Sequence, residues 1–287
     1  MNTAVSATAA ATGAGAPRIL LLGPVKVEGA IDGLVEPSRR NRLTELAAIL
    51  ATNPGCDHTV IDACYSPGER VGDNARNTQI SKLRRWLGRD ANGDDYLPRY
   101  HEADASYQFH AAVTTDWDQF QQLLAAGPVA ASTEDLTQAL ALVRGRPFDR
   151  VRARRYIWAD RLKGQMIAAI VEAAYELARR RLMAGDWQAA EAATVLGLSI
   201  EPGVERLWRV RILAAHASSN PVAVQEAIDR LMVITDQIGG GIEPATQELI
   251  DQLAARIRLT RVPHANPAPT EPTLDMVDQL SQRPTSQ

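Results

Sequence analysis

The sequence predicts a mainly helical protein with two domains, the first of which also contains short β-strands. Three observations support this prediction. The 287 residues favour two domains at roughly 150 residues each. The first third of the chain mixes short apolar runs with amphipathic helices, and from about Thr115 one helical pattern follows another. The hydrophobic fraction of 45% and the charged fraction of 23% are ordinary for a globular protein.

Charge and cysteine content limit the classes of protein to consider. The formal net charge of −3 means that any nucleic-acid binding has to rest on local clusters of charge. Cys56 and Cys64 are too few for a disulfide framework and fit the reducing cytoplasm, which is the localisation we expect. No apolar run approaches the ~20 residues that span a bilayer, so we expect no membrane insertion by this chain.

Both ends of the chain are expected to lack regular structure. Residues 1–17 are mostly Ala, Thr, Ser and Gly and lack the features of a secretory signal, so we interpret them as a disordered leader. Residues 262–287 carry five prolines among polar residues, which is typical of a disordered tail. The folded part is then predicted to divide into domains at 18–112 and 113–261.

The first predicted domain begins with β structure and continues with helices. The run Arg18–Val27 is rich in Ile, Leu and Val and is interrupted by Gly-Pro, which indicates one or two short strands. Apolar residues at helical spacing from Leu43 to Leu50 predict a first helix, and a shorter second helix follows through Tyr65.

A third helix and a hairpin are predicted to complete this domain. Asp73 or Asn74 is expected to cap the helix, and Gly88 to end it. Its apolar face consists of Ile80, Leu83 and Leu87. Two aromatic runs at 96–100 and 106–109 then predict a β-hairpin. The predicted elements are thus a strand, three helices and a hairpin, which is the element order of a winged helix-turn-helix.

The second predicted domain is all-helical. Two capping boxes are expected, at Thr115 with Asp118 and at Ser132 with Asp135. Further on, Ile-Glu-Pro occurs at 200–202 and again at 242–244, and each proline is expected at the first position of a helix.

Helix starts in this domain also recur along the chain. Asp186 and Asn220 each precede a helix, and their spacing of about 34 residues is the period of a tetratricopeptide repeat. The sequence therefore predicts a tetratricopeptide-like array.

Cationic side chains are concentrated in the third predicted helix. Residues 74–89 contain five Lys and Arg residues and no acid. Because the apolar residues take the buried face, polar side chains are left toward solvent, as reading base edges in the major groove requires. The candidate DNA-binding residues are Asn74, Asn77, Ser81, Lys82, Arg84 and Arg85. The candidate phosphate contacts are Arg39, Arg40, Arg42 and Arg76. The alternative interpretation is a solvated helix face.

Other charged and reactive residues give weaker signals. The segment 144–163 has a strong excess of arginine, which indicates either a solvated segment or a surface for an anionic partner. The five histidines are scattered, so we expect no metal site. No Ser, Cys or Thr lies in a nucleophile motif. We therefore expect no cofactor and no enzymatic activity.

Several segments together resemble a known family. RILLLGPVKVEG at 18–29 and NTQISKLRRWLG at 77–88 resemble the OmpR-type winged helix of Streptomyces antibiotic regulatory proteins (SARPs). DWDQF at 116–120, LALVRGRPF at 140–148 and GDW at 185–187 are similar to the bacterial transcriptional activator domain of the same family, a tetratricopeptide-like module. The resemblance implies a regulator of transcription that binds duplex DNA through the third helix. Its other surfaces are implied to contact RNA polymerase, other proteins or a second protomer in a homodimer.

A second interpretation belongs to a different class of protein. The tip of the predicted hairpin, Glu-Ala-Asp-Ala at 102–105, is acidic, and residues 106–109 read Ser-Tyr-Gln-Phe where the family usually has Gly-Tyr-Arg-Leu. An acidic tip repels phosphate, so the alternative is a protein-interaction scaffold or signalling module whose winged helix does not bind DNA. Similar two-domain modules occur at the cytoplasmic C-terminal end of some actinobacterial membrane proteins. A further alternative is that this chain is such a C-terminal end.

Overall fold

A computed structural model describes residues 15–65, 72–100, 106–149 and 156–260, with side chains through 256. In these ranges the protein is a winged helix with a small sheet, followed by an all-α domain, as the sequence predicts. Residues 1–14 of the predicted leader, the acidic hairpin tip and the predicted tail lie outside the described residues.

The sheet has three short strands in the order β2-β1-β3. Strands β1 (Arg18–Leu20) and β2 (Lys26–Glu28) are antiparallel, which confirms two strands in the first apolar run. Strand β3 (Thr114–Thr115) pairs in parallel with β1. Strand β3 is not predicted by the sequence, because two residues are too few to show an alternating pattern. Asp116, which follows it, accepts hydrogen bonds from the backbone N–H groups of Leu21 and Leu22 at 2.6 and 3.1 Å.

Three helices follow the first hairpin-like pair of strands. They are α1 (Pro37–Thr52), α2 (His58–Tyr65) and α3 (Asp73–Leu87). The predicted end of α3 is confirmed, since Gly88 has the positive φ of 84° that glycine adopts without strain. The predicted cap is wrong: Gly72 is the N-cap and no side chain completes the cap, so Asn74 is free to face solvent.

The second aromatic run after α3 pairs with a segment outside the predicted hairpin. Tyr107 pairs with Cys56, in the connection between α1 and α2, through a hydrogen bond of 2.8 Å from its N–H to the Cys56 carbonyl. The described residues contain no strand ladder between the runs 96–100 and 106–109. The segment after α3 is therefore anchored on the helical part of the winged helix.

The helices after the sheet form the all-α part. They are α4 (Asp116–Leu123), α5 (Thr133–Ala141), α6 (Asp160–Met183), α7 (Trp187–Ile200), α8 (Glu205–Ala217), α9 (Pro221–Ile238) and α10 (Pro244–Thr260). The capping box of Ser132 and Asp135 is confirmed. At α4 the Thr115 hydroxyl accepts from the Asp118 N–H at 2.8 Å, which is one half of the predicted box.

Several predicted helix boundaries in this part can be compared with the structure. Asp186 and Asn220 cap α7 and α9 with their side chains, as expected. Pro244 begins α10, but Pro202 begins no helix, because α8 starts only at Glu205. Pro202 instead lies in a turn, and its carbonyl accepts a hydrogen bond of 2.8 Å from the indole N–H of the buried Trp208.

The chain divides into two compact units. Among the described residues, one unit contains those up to Gln119 together with those of Pro147–Arg161, and the other contains Phe120–Arg146 together with those that follow from Leu162. In the second unit α8 packs between α7 and α9. The domain boundary at 112/113 and the tetratricopeptide assignment stay predictions.

Candidate nucleic-acid interface

Helix α3 has a clear division between a buried and an exposed side. Ile80, Leu83, Trp86 and Leu87 are buried. Five of the six predicted DNA-binding residues are exposed: Asn74, Asn77, Ser81, Lys82 and Arg85. At about 100° per residue, Asn74, Ser81 and Arg85 fall along one line of the helix, flanked by Asn77 and Lys82. This exposed face carries amide, hydroxyl and cationic groups, the side chains that hydrogen-bond to base edges and phosphates.

Arg84 does not belong to this exposed face. Its Nε donates to the Leu97 carbonyl at 2.7 Å and its Nη2 donates to the Pro98 carbonyl at 3.1 Å. The guanidinium is half-buried, and burial lowers the pKa of Arg84 while the nearby Asp95 carboxylate raises it. The expected solvent-facing position of Arg84 is therefore corrected: its hydrogen bonds hold the segment that follows α3.

Arg76 is also placed differently from the expectation. Only 7% of its side chain is exposed, and its guanidinium donates to Asp62 on α2 at 2.6 Å and to Asp73. Both hydrogen-bonding ends of the group are therefore directed at carboxylates, and a buried guanidinium in this position cannot reach a DNA phosphate. The expectation of a phosphate contact at Arg76 is corrected for this reason.

The three arginines at the start of α1 differ in their surroundings. Arg40 is partly buried, and its Nε donates to the Val35 carbonyl at 3.0 Å. Arg39 is exposed, with its Nε 3.7 Å from a carboxylate oxygen of Glu36. Arg42 is exposed and lies 4.3 Å from the centroid of the Tyr65 ring, in a cation–π contact. Arg39 and Arg42 therefore have charged groups available to a ligand.

The structure brings the exposed cations of α1 and α3 together. Arg39 and Arg42 line the same cavity of about 520 Å³ as Lys82 and Arg85. Its apolar lining comes from Leu34, Val35 and Leu43, and Glu36 is the acid among its lining residues. We call this cavity the cationic cleft. The sequence does not predict that the two groups of cations meet, because residue spacing does not show how α1 and α3 cross.

Arg99 is a further exposed cation that the sequence analysis missed. Together with Asn77 and Tyr100 it lines a smaller cavity of about 250 Å³ beside α3. A signal was available, since Arg99 is a cation within the aromatic run 96–100 on which the hairpin prediction rested. It extends the polar surface of α3 toward the segment that follows the helix.

The arginine-rich segment 144–163 is described only in part. Arg146, in the described part, donates to the Ile200 carbonyl and pairs with Glu201 at 3.0 Å. This cation therefore holds the loop after α5 against the end of α7. The arginines at 150–155 lie outside the described residues.

Other reactive groups were also located in the described part of the chain. Burial raises the pKa of the Cys56 thiol to about 11, so this thiol stays protonated at neutral pH and is a poor nucleophile. In the same ranges no group of His, Cys, Asp and Glu side chains could hold a metal ion. None of the helices described is both long enough and apolar enough to cross a bilayer.

A winged helix with an exposed polar third helix, joined to an all-α domain, defines a SARP-like fold. A solved structure with this architecture is that of Mycobacterium tuberculosis EmbR in complex with low affinity phosphopeptide. The two chains superpose with a TM-score of 0.61 at 21% identity, over 88% of this chain and 67% of the EmbR chain. EmbR is a SARP-family regulator, and at this identity the likeness concerns the fold. No protein-family model and no curated protein matches the sequence.

Proposed function

We propose that the protein is a DNA-binding regulator of transcription that inserts α3 into the major groove of duplex DNA. The observation that carries the proposal is the pair Lys82 and Arg85. Both side chains are exposed on α3, and neither has an ion-pair partner among the described residues. Asn77 and Ser81 lie beside them on the same face. The SARP-like fold supports the same class of function.

In this proposal the polar residues of the interface have different roles. Lys82 and Arg85 read base edges, because Lys and Arg are the common partners of the guanine acceptors in the major groove. Asn74, Asn77 and Ser81 contact bases or phosphates near the start of the helix. Arg39 and Arg42 contact the phosphate backbone and set the position of α3. Arg84 acts only by positioning the segment after α3.

We further propose that the all-α part contacts other proteins and that the protein acts in the cytoplasm without enzymatic activity. Support comes from α9, which exposes three large apolar side chains on its solvent-facing side: Val222, Met232 and Val233. Exposed apolar groups of this kind are common at sites of protein association. RNA polymerase and a second protomer are the partners that this role suggests. If α3 binds no DNA, this surface makes a protein-interaction scaffold the second candidate function.

Selection from a pool of random duplexes tests DNA binding, followed by affinity measurement on the enriched sequence. The test variant is Lys82→Ala/Arg85→Ala, and the matched control is Arg89→Ala. Arg89 is an exposed cation beyond the end of α3 that pairs with Asp95 and lies outside the cationic cleft. We expect the double variant to lose about 1–3 kcal/mol per lost base contact and the control to bind as the wild type does. Equal affinity of the double variant and the wild type would show that α3 does not read the duplex through these residues.

A further inference from the structure

We propose that the cationic cleft binds a small amphipathic anion, and that this ligand competes with DNA for Lys82 and Arg85. The ligand class is an organic molecule with an apolar body and one carboxylate, sulfonate or phosphate group. The competition rests on the proposed function, whereas binding of the anion does not. The inference combines the size, the charge and the apolar lining of the cleft.

The size of the cleft suits a small molecule. Its volume of about 520 Å³ lies within the range of about 300–1,000 Å³ that is usual for small-molecule sites. A DNA duplex is a convex rod with phosphates on its outside, so it can cover the mouth of the cleft without filling the interior. A compact ligand can occupy space that the duplex leaves empty.

The charge of the cleft favours an anion. Four cations line it, and the acid among its lining residues is Glu36. Glu36 is 72% exposed and lies 3.7 Å from Arg39, so solvent and salt weaken its attraction. Lys82 and Arg85 have no ion-pair partner among the residues described. Cations that converge on one concave surface repel each other, and a bound anion relieves that repulsion.

The apolar lining distinguishes the cleft from a plain phosphate site. Leu34 is 45% exposed, and it lies beside Val35 and the buried Leu43 in the wall of the cleft. Water in contact with these groups is released when an apolar ligand body covers them. Arg42, held against the Tyr65 ring, offers a cation in a fixed place at the edge of this apolar surface. These features together select a ligand that has both an apolar and an anionic part.

Binding can be measured on the full chain with anilinonaphthalene sulfonate, an amphipathic anion whose fluorescence rises in apolar surroundings. The test variants are Lys82→Ala/Arg85→Ala and Leu34→Ser, and the control is Arg89→Ala. All of these side chains are exposed, so the variants are expected to keep the fold, which circular dichroism checks. We expect affinity to fall about ten-fold in both test variants and to be unchanged in the control.

Two results would overturn the binding proposal. Equal titrations for the wild type and both test variants mean that the probe binds elsewhere. Displacement of the probe by inorganic phosphate at a similar concentration means that the cleft is a simple phosphate site. The expected result is that phosphate displaces the probe only at much higher concentration.

Competition is tested separately on the enriched duplex. We expect saturating probe to weaken duplex binding by the wild type, and to have much less effect on Leu34→Ser, which keeps the cations. Unchanged duplex affinity at saturating probe would contradict competition. If the wild type binds no duplex at all, the proposed function and the competition both fail, and the fluorescence titration alone decides whether the cleft binds the anion.

Discussion

At the residue scale, the Arg76 guanidinium joins α3 to α2 through its hydrogen bond with Asp62, and it also donates to Asp73 in the first turn of α3. We predict that Asp62→Asn destabilises the protein by about 1–3 kcal/mol, because a nearly buried guanidinium loses the less exposed of its two carboxylate partners. The measurement is the free energy of unfolding in urea. Asp73→Asn is the matched control, since Asp73 is 82% exposed and its ion pair contributes little in water. Similar small losses for both variants would contradict a structural role for this pair.

Glu176 gives a pH-dependent prediction, also at the residue scale. Burial raises the pKa of this carboxyl, but hydrogen bonds from Arg179 and Arg180 lower it by a larger amount. The pKa of Glu176 therefore lies below the ordinary value of 4.5. A depressed folded-state pKa contributes stability that is fully present above about pH 4.5 and lost as pH falls through the folded pKa.

We therefore expect Glu176→Gln to be less stable than the wild type at neutral pH, with a gap that narrows below about pH 4.5. Urea unfolding at a series of pH values measures this gap. Glu172→Gln serves as the control, because Glu172 is 48% exposed in its pair with Arg206. A gap that stays constant from neutral to acid pH is the contrary result.

At the scale of elements, a glycine sets how closely α7 and α8 approach. A Cβ at Gly197 would lie 2.7 Å from Leu207 Cδ1 and 2.9 Å from Ala174 Cβ. We predict that Gly197→Ala destabilises the protein by about 1–3 kcal/mol through overpacking. Gly164→Ala, on the exposed side of α6 with nothing within 4 Å, should instead stabilise it by about 0.5–1 kcal/mol. Thermal unfolding of the two variants checks the opposite signs, and a loss of equal size in both would be evidence against close helix packing at Gly197.

Helices and their ends were largely predictable from local sequence. Ser132, Asp186 and Asn220 begin helices because their side chains accept hydrogen bonds from the first turn, which is a local property. Strand β3 was not predictable, since two residues become a strand only through pairing with β1. Pro202 does not begin a helix as predicted, because the tripeptide Ile-Glu-Pro can either lead directly into a helix or form a turn. At 200–202 a hydrogen bond from Trp208 fixes the turn.

The candidate site was predictable only in part, because some of its contacts join segments that are distant in the sequence. The exposed face of α3 follows from its apolar spacing, and the structure agrees at Lys82 and Arg85. Arg76 and Arg84 were misplaced because their partners come from other segments: carboxylates for Arg76 and backbone carbonyls for Arg84. The cationic cleft depends on the crossing of α1 and α3, which residue spacing does not contain.

At the scale of the whole molecule, the near-neutral net charge of −3 means that the proposed DNA binding depends on a few clustered cations. We predict that binding to the enriched duplex weakens steeply with salt. Arg39→Ala/Arg42→Ala should lower the slope of log affinity against log salt by about two, one for each lost phosphate contact. Arg230→Ala, an exposed cation of α9, is the control and should leave the slope unchanged. An unaltered slope in the double variant would remove α1 from the interface.

We propose that α3 reads bases while α1 holds phosphates, and a repeat of the duplex selection with single variants distinguishes these two roles. The two variants are Arg85→Ala on α3 and Arg42→Ala on α1. We expect Arg85→Ala to lose its preference at one or two neighbouring base pairs, and Arg42→Ala to select the wild-type sequence with lower affinity throughout. Selection of the same sequence by Arg85→Ala and the wild type, with equal preference at every position, would show that Arg85 does not read a base.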